Sequence, residues 1–318
     1  LRQWVAEGIM RALLALIALT GLLGWLAWTA PKLGLTALAI AALASAPPPA
    51  DAVPSDEAAW LVLWQLGLPL DTPLEGPDSP GNQPVPPEKQ AQVATLLIAR
   101  INTRKPAAYL TREAWLQGVP FYIDERAIVP RSFIAELIAE SSIDPWLSDA
   151  TRAVLDLCTG NGSLAVLAAM AWPEVTVDAA DLSADALAVA QLNIDRHALA
   201  GRITLHQGDG LAAVANRVYD LILCNPPYVN SQSMAELPAE FRAEPELALA
   251  GGTDGMDFVR ALLRDAPSRL SPHGVLVLEI GHERAHFEAA FPQLSPVWLS
   301  TSAGDDQVLL LTAEGLRD

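Results

Sequence analysis

The sequence predicts an α/β fold in which a doubly wound, mainly parallel sheet follows a small helical domain and a β-hairpin. From Ala153 onward, apolar strand-like runs alternate with helix-like stretches, as expected for a sheet covered by helices on both faces. Residues 219–224 are almost wholly apolar, which is typical of a strand buried on both sides. A glycine-rich turn at residues 156–162 follows the first strand of this region, where ligands of such sheets bind.

Residues 9–50 are nearly uncharged, and neither residues 12–31 nor residues 33–50 contain a charged side chain. The first run is long enough to span a bilayer, and with Arg2 and Arg11 ahead of it the segment also resembles a signal segment. The other interpretation is an alanine- and leucine-rich helical hairpin that is broken at Pro31.

The segments between this start and Ala153 can be assigned from proline content and periodicity. They are predicted as a linker at 47–54, a helix at 55–66, a loop at 67–87, a helix at 88–103, two strands within 114–129 around a turn at Asp124-Glu125, and a helix at 131–140.

The remaining elements follow the alternating pattern. Strands are predicted at 153–158, 175–181, 202–206, 219–224, 274–280 and 307–312, and helices at 163–171, 184–198, 256–269 and 283–290. The domain division expected from this order is an N-terminal helical domain over 1–113, a hairpin linker over 114–130 and a sheet domain over 131–318.

Composition narrows the possible partners. The formal net charge is −17, which disfavours binding to a nucleic-acid backbone and suits a basic protein partner. Two isolated cysteines, Cys158 and Cys224, form no disulfide framework, and this indicates a reducing, cytoplasmic setting.

Three acidic residues follow three successive predicted strands and suggest a nucleoside site. Asp156 opens the glycine loop, where an anion would repel a pyrophosphate and attract a cationic amino-acid group. Asp181 ends the second strand and can accept hydrogen bonds from both hydroxyls of a ribose. Asp209 follows the third strand and can accept from an adenine amino group. Each acid alone would be read as a helix cap or a turn, but their shared register favours a ligand.

The tetrapeptide Asn225-Pro226-Pro227-Tyr228 follows the fourth strand of the sheet and predicts transfer to a planar NH₂ group. The Asn225 side-chain oxygen and the Pro226 carbonyl can each accept one hydrogen of such a group, and Tyr228 can pack over its plane. The two prolines stiffen the loop. Because the nitrogen can lose its proton after transfer, alignment rather than a strong base is expected to supply the rate.

With these motifs in place, the chain resembles the class I S-adenosylmethionine-dependent methyltransferases, and within them the protein glutamine methyltransferases. Two branches of that group modify release factors or ribosomal protein uL3, and the chain is more similar to the uL3 branch. The similarity covers about residues 88–318 and is carried by residues 109–115, 121–126, 129–138, 156–162, 225–228, 237–242 and 244–255.

The resemblance implies a Rossmann-like, seven-stranded methyltransferase sheet and the use of S-adenosyl-L-methionine, with S-adenosyl-L-homocysteine as product and no metal. It also implies roles for particular residues. The expected cofactor-binding residues are Asp156, Cys158, Thr159, Gly160, Gly162, Asp181, Leu182, Asp209, Gly210 and Asn225. The expected catalytic residues are Asn225, Pro226, Pro227 and Tyr228, and the expected substrate-binding residues are Phe121, Arg131 and Tyr228. The N-terminal helical domain is implied to help recognise the protein substrate.

Other functions remain as alternatives. The same tetrapeptide chemistry would serve a release-factor glutamine or an exocyclic amine of a nucleic-acid base, although direct nucleic-acid binding is not expected at this charge. A nicotinamide-dependent oxidoreductase and a non-catalytic binding module are further alternatives. His282 and His286 spell a zinc-protease pattern, but no third-ligand motif follows. Membrane association is not expected, although residues 12–50 leave that alternative open.

Overall fold

A computed structural model describes residues 54–72 and 84–317, so the predictions for residues 1–53, and those for residues 73–83 of the predicted loop, lie outside the described residues. The chain divides into two compact units between Thr111 and Arg112.

The described part of the first unit is helical. It contains α1 (Pro54–Leu66), α2 (Pro87–Thr103) and the short α3 (Ala107–Thr111). Val62 and Leu63 of α1 pack against Val85 and against Val93 of α2. Arg100 on α2 forms a two-pronged ion pair with Glu57 on α1, with N–O distances of 3.0 and 3.1 Å. The apolar spacing along 88–103 therefore produced the predicted helix, and its buried stripe meets the preceding helix.

The second unit contains a hairpin and a seven-stranded sheet with helices on both faces. Its elements are β1 (Glu113–Leu116), β2 (Val119–Tyr122), α4 (Ile134–Ala139), β3 (Ala153–Leu157), α5 (Ser163–Ala171), β4 (Thr176–Asp181), α6 (Ala184–Arg196), β5 (Ile203–Gln207), β6 (Tyr219–Cys224), α7 (Ser231–Glu236), α8 (Asp257–Asp265), β7 (Leu270–Glu279), α9 (Arg284–Ala290), β8 (Val297–Thr301) and β9 (Gly304–Thr312). Short 3₁₀ turns lie at Asp144–Trp146, Gly210–Val214, Phe241–Ala243, Glu246–Ala248 and Ala266–Ser268.

The strand order in the sheet is β5-β4-β3-β6-β7-β9-β8, and the first five strands in this order are parallel to their neighbours. β9 is antiparallel to β7 and to β8. The chain order reverses direction between β3 and β6, so the loops that leave these two strands separate to opposite sides and leave a crevice. This arrangement confirms the predicted doubly wound, mainly parallel α/β fold and places both loops at one edge.

Two apolar layers cover the faces of the sheet. One contains α4 and α5, and the other contains α8 and α9. Both bury the alternating side chains of β3, β6, β7 and β9. Leu155, Leu221 and Leu276 are fully buried. Burying such residues on both faces explains why these strands read as continuous apolar runs.

Several predicted element bounds were wrong, and each for a local reason. The hairpin turns at Gln117 and Gly118 rather than at Asp124-Glu125, because both residues have positive φ (49° and 74°), as a two-residue hairpin turn requires. Asp124 instead binds Arg126 in the turn that follows β2. The helix predicted at 131–140 begins only at Ile134.

Two further differences concern the C-terminal third of the chain. The helix predicted at 256–269 ends at Asp265 and continues as a 3₁₀ turn, since Pro267 has no N–H to extend it. β8 was not predicted from the residues, because only its central Leu299 is buried and its pattern carries little apolar signal. Among the described residues, none of the helices combines the length and apolar character that crossing a membrane requires.

Candidate active site at the carboxyl ends of the strands

The loop from Asp156 to Gly162 joins β3 to α5 and takes its shape from residues with left-handed backbone. Cys158, Gly160 and Gly162 have φ values of 61°, 56° and 79°. A Cβ atom at residue 162 would lie 3.0 Å from the Cβ of Ala190, so glycine here lets α6 approach the loop closely. The loop therefore exposes backbone to a ligand on one side and packs tightly on the other.

The Asp156 carboxyl lies beneath this loop and is fully buried. Its Oδ2 accepts hydrogen bonds from Thr159 Oγ1 and from the Ala165 N–H at 2.9 Å. Its Oδ1 is buried and has no hydrogen-bond partner. Burial raises the pKa of Asp156 to about 7, although the bonds from Thr159 and Ala165 oppose that rise. The sequence predicts that Asp156 faces a cationic group, but the structure encloses this carboxyl beneath the loop.

Asp181, the second of the three acidic residues, ends β4 and is hydrogen-bonded to the glycine loop. Its Oδ2 accepts from the Gly160 N–H at 2.9 Å, and its Oδ1 accepts from the Ser183 N–H at 2.8 Å. Burial raises the pKa of Asp181, against the lowering effect of these bonds. The next residue, Leu182, is 49% exposed and offers an apolar surface beside Asp181.

Asp209 and Gly210 lie after β5, next to β4 in the sheet. The Asp209 side chain is exposed, and none of the described residues donates a hydrogen bond to it. Gly210 has φ 52° and starts the 3₁₀ turn Gly210–Val214. Two acceptor carboxylates beside an exposed apolar surface suit a nucleoside, which offers hydroxyl and amine donors together with a flat ring. These two acceptors and the exposed Leu182 therefore fit the cofactor implied by the sequence.

The tetrapeptide loop leaves β6 beside the glycine loop, because Leu157 of β3 and Cys224 of β6 are paired in register. Asn225 is half-buried, and within the described chain no hydrogen bond reaches its side-chain amide. Pro226 is buried, whereas Pro227 and Tyr228 are partly exposed. The neighbouring Cys224 thiol and burial both raise the pKa of Cys158.

The backbone of Tyr228 is enclosed by glycines from the segment after residue 250. A Cβ at residue 251 would lie 2.7 Å from Tyr228 Cα, and a Cβ at residue 255 would clash with the Tyr228 carbonyl oxygen. A parallel bridge between Val229 and Ala250 holds the two segments together. These contacts explain why the segment similar to glutamine methyltransferases, residues 244–255, is rich in glycine.

Arg131 reaches the same region from the segment before α4. It forms a two-pronged ion pair with Glu244, both N–O distances being 2.9 Å, and its guanidinium lies over the Phe241 ring at 4.6 Å. About two fifths of the Arg131 side chain is exposed, so it remains accessible from solvent.

Phe121, by contrast, presents no surface to a substrate. Its side chain is fully buried in the core and its ring lies 5.4 Å from that of His197. The structure therefore gives Phe121 a packing role, and the expected substrate contact has no exposed surface through which to act.

Sequence reasoning missed two buried polar residues near the site. Asn193 on α6 bonds the N–H and carbonyl of Tyr122 at 2.7 and 2.9 Å and the carbonyl of Asn161 at 2.8 Å, so it ties the hairpin to the glycine loop. Glu279 ends β7 and binds the segment before α4. The available signal for Glu279 was its position as an acid directly after an apolar strand; Asn193 gave no signal within its helix.

Comparison with known proteins agrees with this geometry. The family model described as "Methyltransferase small domain" matches residues 143–252, which include the glycine loop, both later acids and the tetrapeptide. The ribosomal protein uL3 glutamine methyltransferase of Bordetella pertussis is 54% identical over 82% of this chain and 87% of its own length. The chain belongs to this family.

Other members of the family are similar over the same extent. The uL3 glutamine methyltransferase of Burkholderia pseudomallei is 52% identical over 82% of the chain and 86% of its own length. The uL3 glutamine methyltransferase of Neisseria meningitidis serogroup A is 45% identical over 82% of the chain and 85% of its own length. As a member of the uL3 glutamine methyltransferase family, the chain is a methyltransferase, and the resemblance inferred from its motifs is confirmed.

The two histidines of the zinc-protease pattern, His282 and His286, lie at the start of α9 and do not share a metal site among the described residues. His286 Nδ1 lies 2.5 Å from Glu283 Oε2 at the start of α9, and His282 is exposed just before that helix. Over residues 54–72 and 84–317, no three histidine, cysteine or acidic side chains converge as metal ligands.

Proposed function

We propose that this chain transfers the methyl group of S-adenosyl-L-methionine to the side-chain amide nitrogen of a glutamine in ribosomal protein uL3. The observation that carries the proposal is the half-buried Asn225 amide, which forms no hydrogen bond with any described residue and lies on the loop that leaves β6 at the crevice beside β3. The 54% identity to a uL3 glutamine methyltransferase supports the choice of substrate.

The cofactor side of the crevice is proposed to use the acids described above. Asp181 would hold the ribose hydroxyls, since its carboxylate retains lone pairs beyond its bonds to Gly160 and Ser183. Asp209 would accept from the adenine amino group, and Leu182 would pack against the ring. When bound, the cofactor supplies an electrophilic methyl group, and the ionised form of Asp156 would favour its cationic end.

The substrate side is proposed to use the tetrapeptide. A glutamine amide nitrogen is a weak nucleophile because its lone pair is delocalised into the carbonyl group. The Asn225 side-chain oxygen and the Pro226 carbonyl would each accept one N–H hydrogen, which turns the lone pair towards the methyl donor. Tyr228 would lie against the amide plane. These contacts would lower the barrier by orientation and electrostatics, and the nitrogen would lose its proton after transfer.

The net charge of −17 supports a basic protein as partner. We propose that residues 1–113 form the part that recognises this partner, and that residues 131–318 carry the chemistry, with the hairpin between them.

The test is a transfer assay with labelled S-adenosylmethionine and, separately, uL3, a release factor and ribosomal RNA. We expect label on a glutamine of uL3 and a loss of about 10²–10³-fold in kcat for Asn225→Ala, the scale of a removed transition-state hydrogen bond. Label on the release factor alone would contradict the substrate, and label on RNA would contradict the protein-amide chemistry.

A further inference from the structure

Glu283, the acid of the zinc-protease pattern, contacts the segment that follows the tetrapeptide. Its side chain is buried between the end of β7 and the start of α9. Its Oε1 accepts a hydrogen bond from Asn230 Nδ2 at 2.7 Å, and its Oε2 lies 2.5 Å from Nδ1 of the half-exposed His286. A carboxylate is costly to bury unless polar groups satisfy it, and these two contacts do so. The proposed chemistry uses none of these three residues.

Asn230 lies two residues after Tyr228, and both ends of its side-chain amide are used. Its Oδ1 accepts from the Ser233 N–H at 2.9 Å and caps α7, while its Nδ2 donates to Glu283. None of the α7 residues is buried. The start of this helix is therefore held by side-chain hydrogen bonds, such as that from Asn230, rather than by apolar packing.

The segment that carries Glu283 also lies against Tyr228 itself. A Cβ atom at residue 255 would clash with the Tyr228 carbonyl oxygen and would lie 3.3 Å from Glu283 Cγ. Both groups therefore lie against the same side of Gly255, which has φ 78° and no side chain to separate them. Gly281, two residues before Glu283, lies against the Tyr228 ring. The segment after β7 thus contacts the tetrapeptide tyrosine and binds the chain two residues further on.

Residues 229–230, the exit of the tetrapeptide loop, are held in two ways. The Val229 N–H donates to the Leu249 carbonyl at 2.8 Å, and the Gly251 N–H donates to the Val229 carbonyl at 2.9 Å. These bonds join the exit to another loop. The bond from Asn230 to Glu283 instead joins it to the segment that leaves β7, an inner strand of the sheet. The exit contains no proline, so its position depends on these contacts.

We propose that Glu283 is a positioning residue for the methyl transfer: by binding Asn230, it fixes the exit of the tetrapeptide loop and keeps Tyr228 where it can lie against the substrate amide. Methyl transfer depends on the alignment of the amide nitrogen with the methyl donor, and a displacement of about 1 Å can cost about 10²-fold in rate. This inference rests on the proposed function for the identity of the amide.

An exchange of the two functional groups tests this contact. Asn230→Asp keeps the oxygen that caps α7 but places a second carboxylate against Glu283. We expect kcat for uL3 methylation to fall about tenfold or more, because two adjacent carboxylates repel each other where water is largely excluded. Adding Glu283→Gln supplies a donor opposite the new acid. The double variant is therefore expected to recover kcat to within about threefold of the wild type.

Two single variants at Glu283 complete the series. Glu283→Gln keeps an oxygen that can accept from Asn230, so we expect kcat to fall less than about threefold. Glu283→Ala removes the acceptor, and we expect a fall of about tenfold, the scale of a lost hydrogen bond to a charged group. The Kd of S-adenosylmethionine should stay within about twofold in all of these variants, because the contact lies on the substrate side.

A matched control asks whether any change from amide to acid beside a carboxylate has this effect. Gln191 donates to Asp195 at 2.8 Å in an exposed pair on α6, and Gln191→Glu is expected to leave kcat unchanged. The inference is overturned by an equal loss in Gln191→Glu, by a double variant no more active than Asn230→Asp, or by a wild-type kcat in Glu283→Ala. A rise in cofactor Kd that matches the loss of kcat would also overturn it, because Glu283 would then support the whole domain.

A second measurement needs no substrate. The Val229 N–H exchanges with solvent when the exit of the loop opens. Its hydrogen exchange, measured by NMR, should be about tenfold faster in Asn230→Asp and in Glu283→Ala than in the wild type, and should return to the wild-type rate in the double variant. Exchange at Leu221, on the inner strand β6, is the control and should not change.

The two measurements separate the inference from the proposed function. If the wild-type chain methylates no substrate, the proposed function fails, and hydrogen exchange still decides whether Glu283 fixes the exit of the loop. Equal exchange at Val229 in the wild type and in Glu283→Ala would overturn the inference even if uL3 is methylated.

Discussion

The aromatic ring of Tyr228 lies directly against Gly281, so closely that a Cβ atom at residue 281 would be 2.5 Å from Tyr228 Cε2. Gly281 also has φ 54°, a backbone conformation that residues other than glycine rarely adopt. The glycine after β7 is therefore required both by its own backbone and by the position of the tetrapeptide tyrosine.

Gly281→Ala should displace the Tyr228 ring and reduce methyl transfer. Because no Cβ fits beside the ring, we expect kcat to fall about tenfold or more. We also expect the free energy of unfolding to fall by more than the roughly 1–2 kcal/mol that an alanine costs in the left-handed conformation. Steady-state kinetics and urea unfolding measure the two effects. Gly118→Ala is the control, since Gly118 has φ 74° but nothing within 4 Å of its would-be Cβ. Equal effects at both positions would show that the ring contact is unimportant.

Asp156→Asn should make the stability of the protein less dependent on pH. The folded-state pKa of Asp156, about 7, lies above its ordinary value of 3.8, so the folded chain holds this proton more tightly than the unfolded chain. This contribution to stability is fully present below about pH 4 and is lost as pH rises through about 7.

Between pH 5.5 and pH 8 the free energy of unfolding attributable to Asp156 should fall by about 2 kcal/mol. Urea unfolding of the wild type and Asp156→Asn at both values measures the difference. Glu279, whose pKa is also about 7, titrates in the same window, so the variant should flatten the dependence only in part. Parallel pH profiles for both proteins would contradict the assignment.

Asp181→Asn should weaken cofactor binding without a matching loss of kcat at saturation. The asparagine can keep one acceptor for the Gly160 or Ser183 N–H but loses the charge and the second acceptor. We expect the Kd of S-adenosylmethionine to rise about 10–100-fold, equivalent to one or two hydrogen bonds to a charged group. Calorimetric titration measures it, with Asp185→Asn, an exposed acid two positions into α6, as control. An unchanged Kd would remove Asp181 from the cofactor site.

Asn193→Ala should destabilise the hairpin and the glycine loop together. Asn193 is fully buried, and its loss leaves the Tyr122 N–H and carbonyl and the Asn161 carbonyl without their partner. We expect a loss of about 2–4 kcal/mol in unfolding free energy, because several buried groups become unsatisfied. Faster hydrogen exchange at Tyr122 would locate the effect. Gln191→Ala, an exposed change on the same helix, should cost little, and a similar cost for both would exclude the bridging role.

Much of the sheet could be predicted from the sequence, because buried parallel strands such as β6 show continuous apolar runs. The candidate site could be predicted for the same reason: Asp156, Asp181 and Asn225 end or follow such strands, and topology brings those ends together. The hairpin turn was misplaced because Gln117 gives no sign of its positive φ, whereas Asp124-Glu125 has the composition of a turn.

What could not be predicted depends on contacts between distant segments. Asn193 is one polar residue in an amphipathic helix, and only the packed hairpin shows that its amide faces Tyr122. The enclosure of Asp156 likewise depends on how the loop closes over it through Thr159 and Ala165. Periodicity reports which face of an element is buried, but it does not report which polar groups meet there.

The pairing of β7 with β9 has a consequence for the order in which a newly made chain becomes active. β7 gains its neighbour β6 as soon as residue 279 has been synthesised, but its other edge is closed only when β9, residues 304–312, has been added. β7 and its neighbour β9 are thus the last inner strands to gain both of their partners, although the acids and the tetrapeptide are made much earlier. A nascent chain therefore contains every residue of the proposed chemistry before β7, which leads into Gly281 beside the Tyr228 ring, is closed on both edges. We therefore expect methyl transfer only after Thr312 has been made.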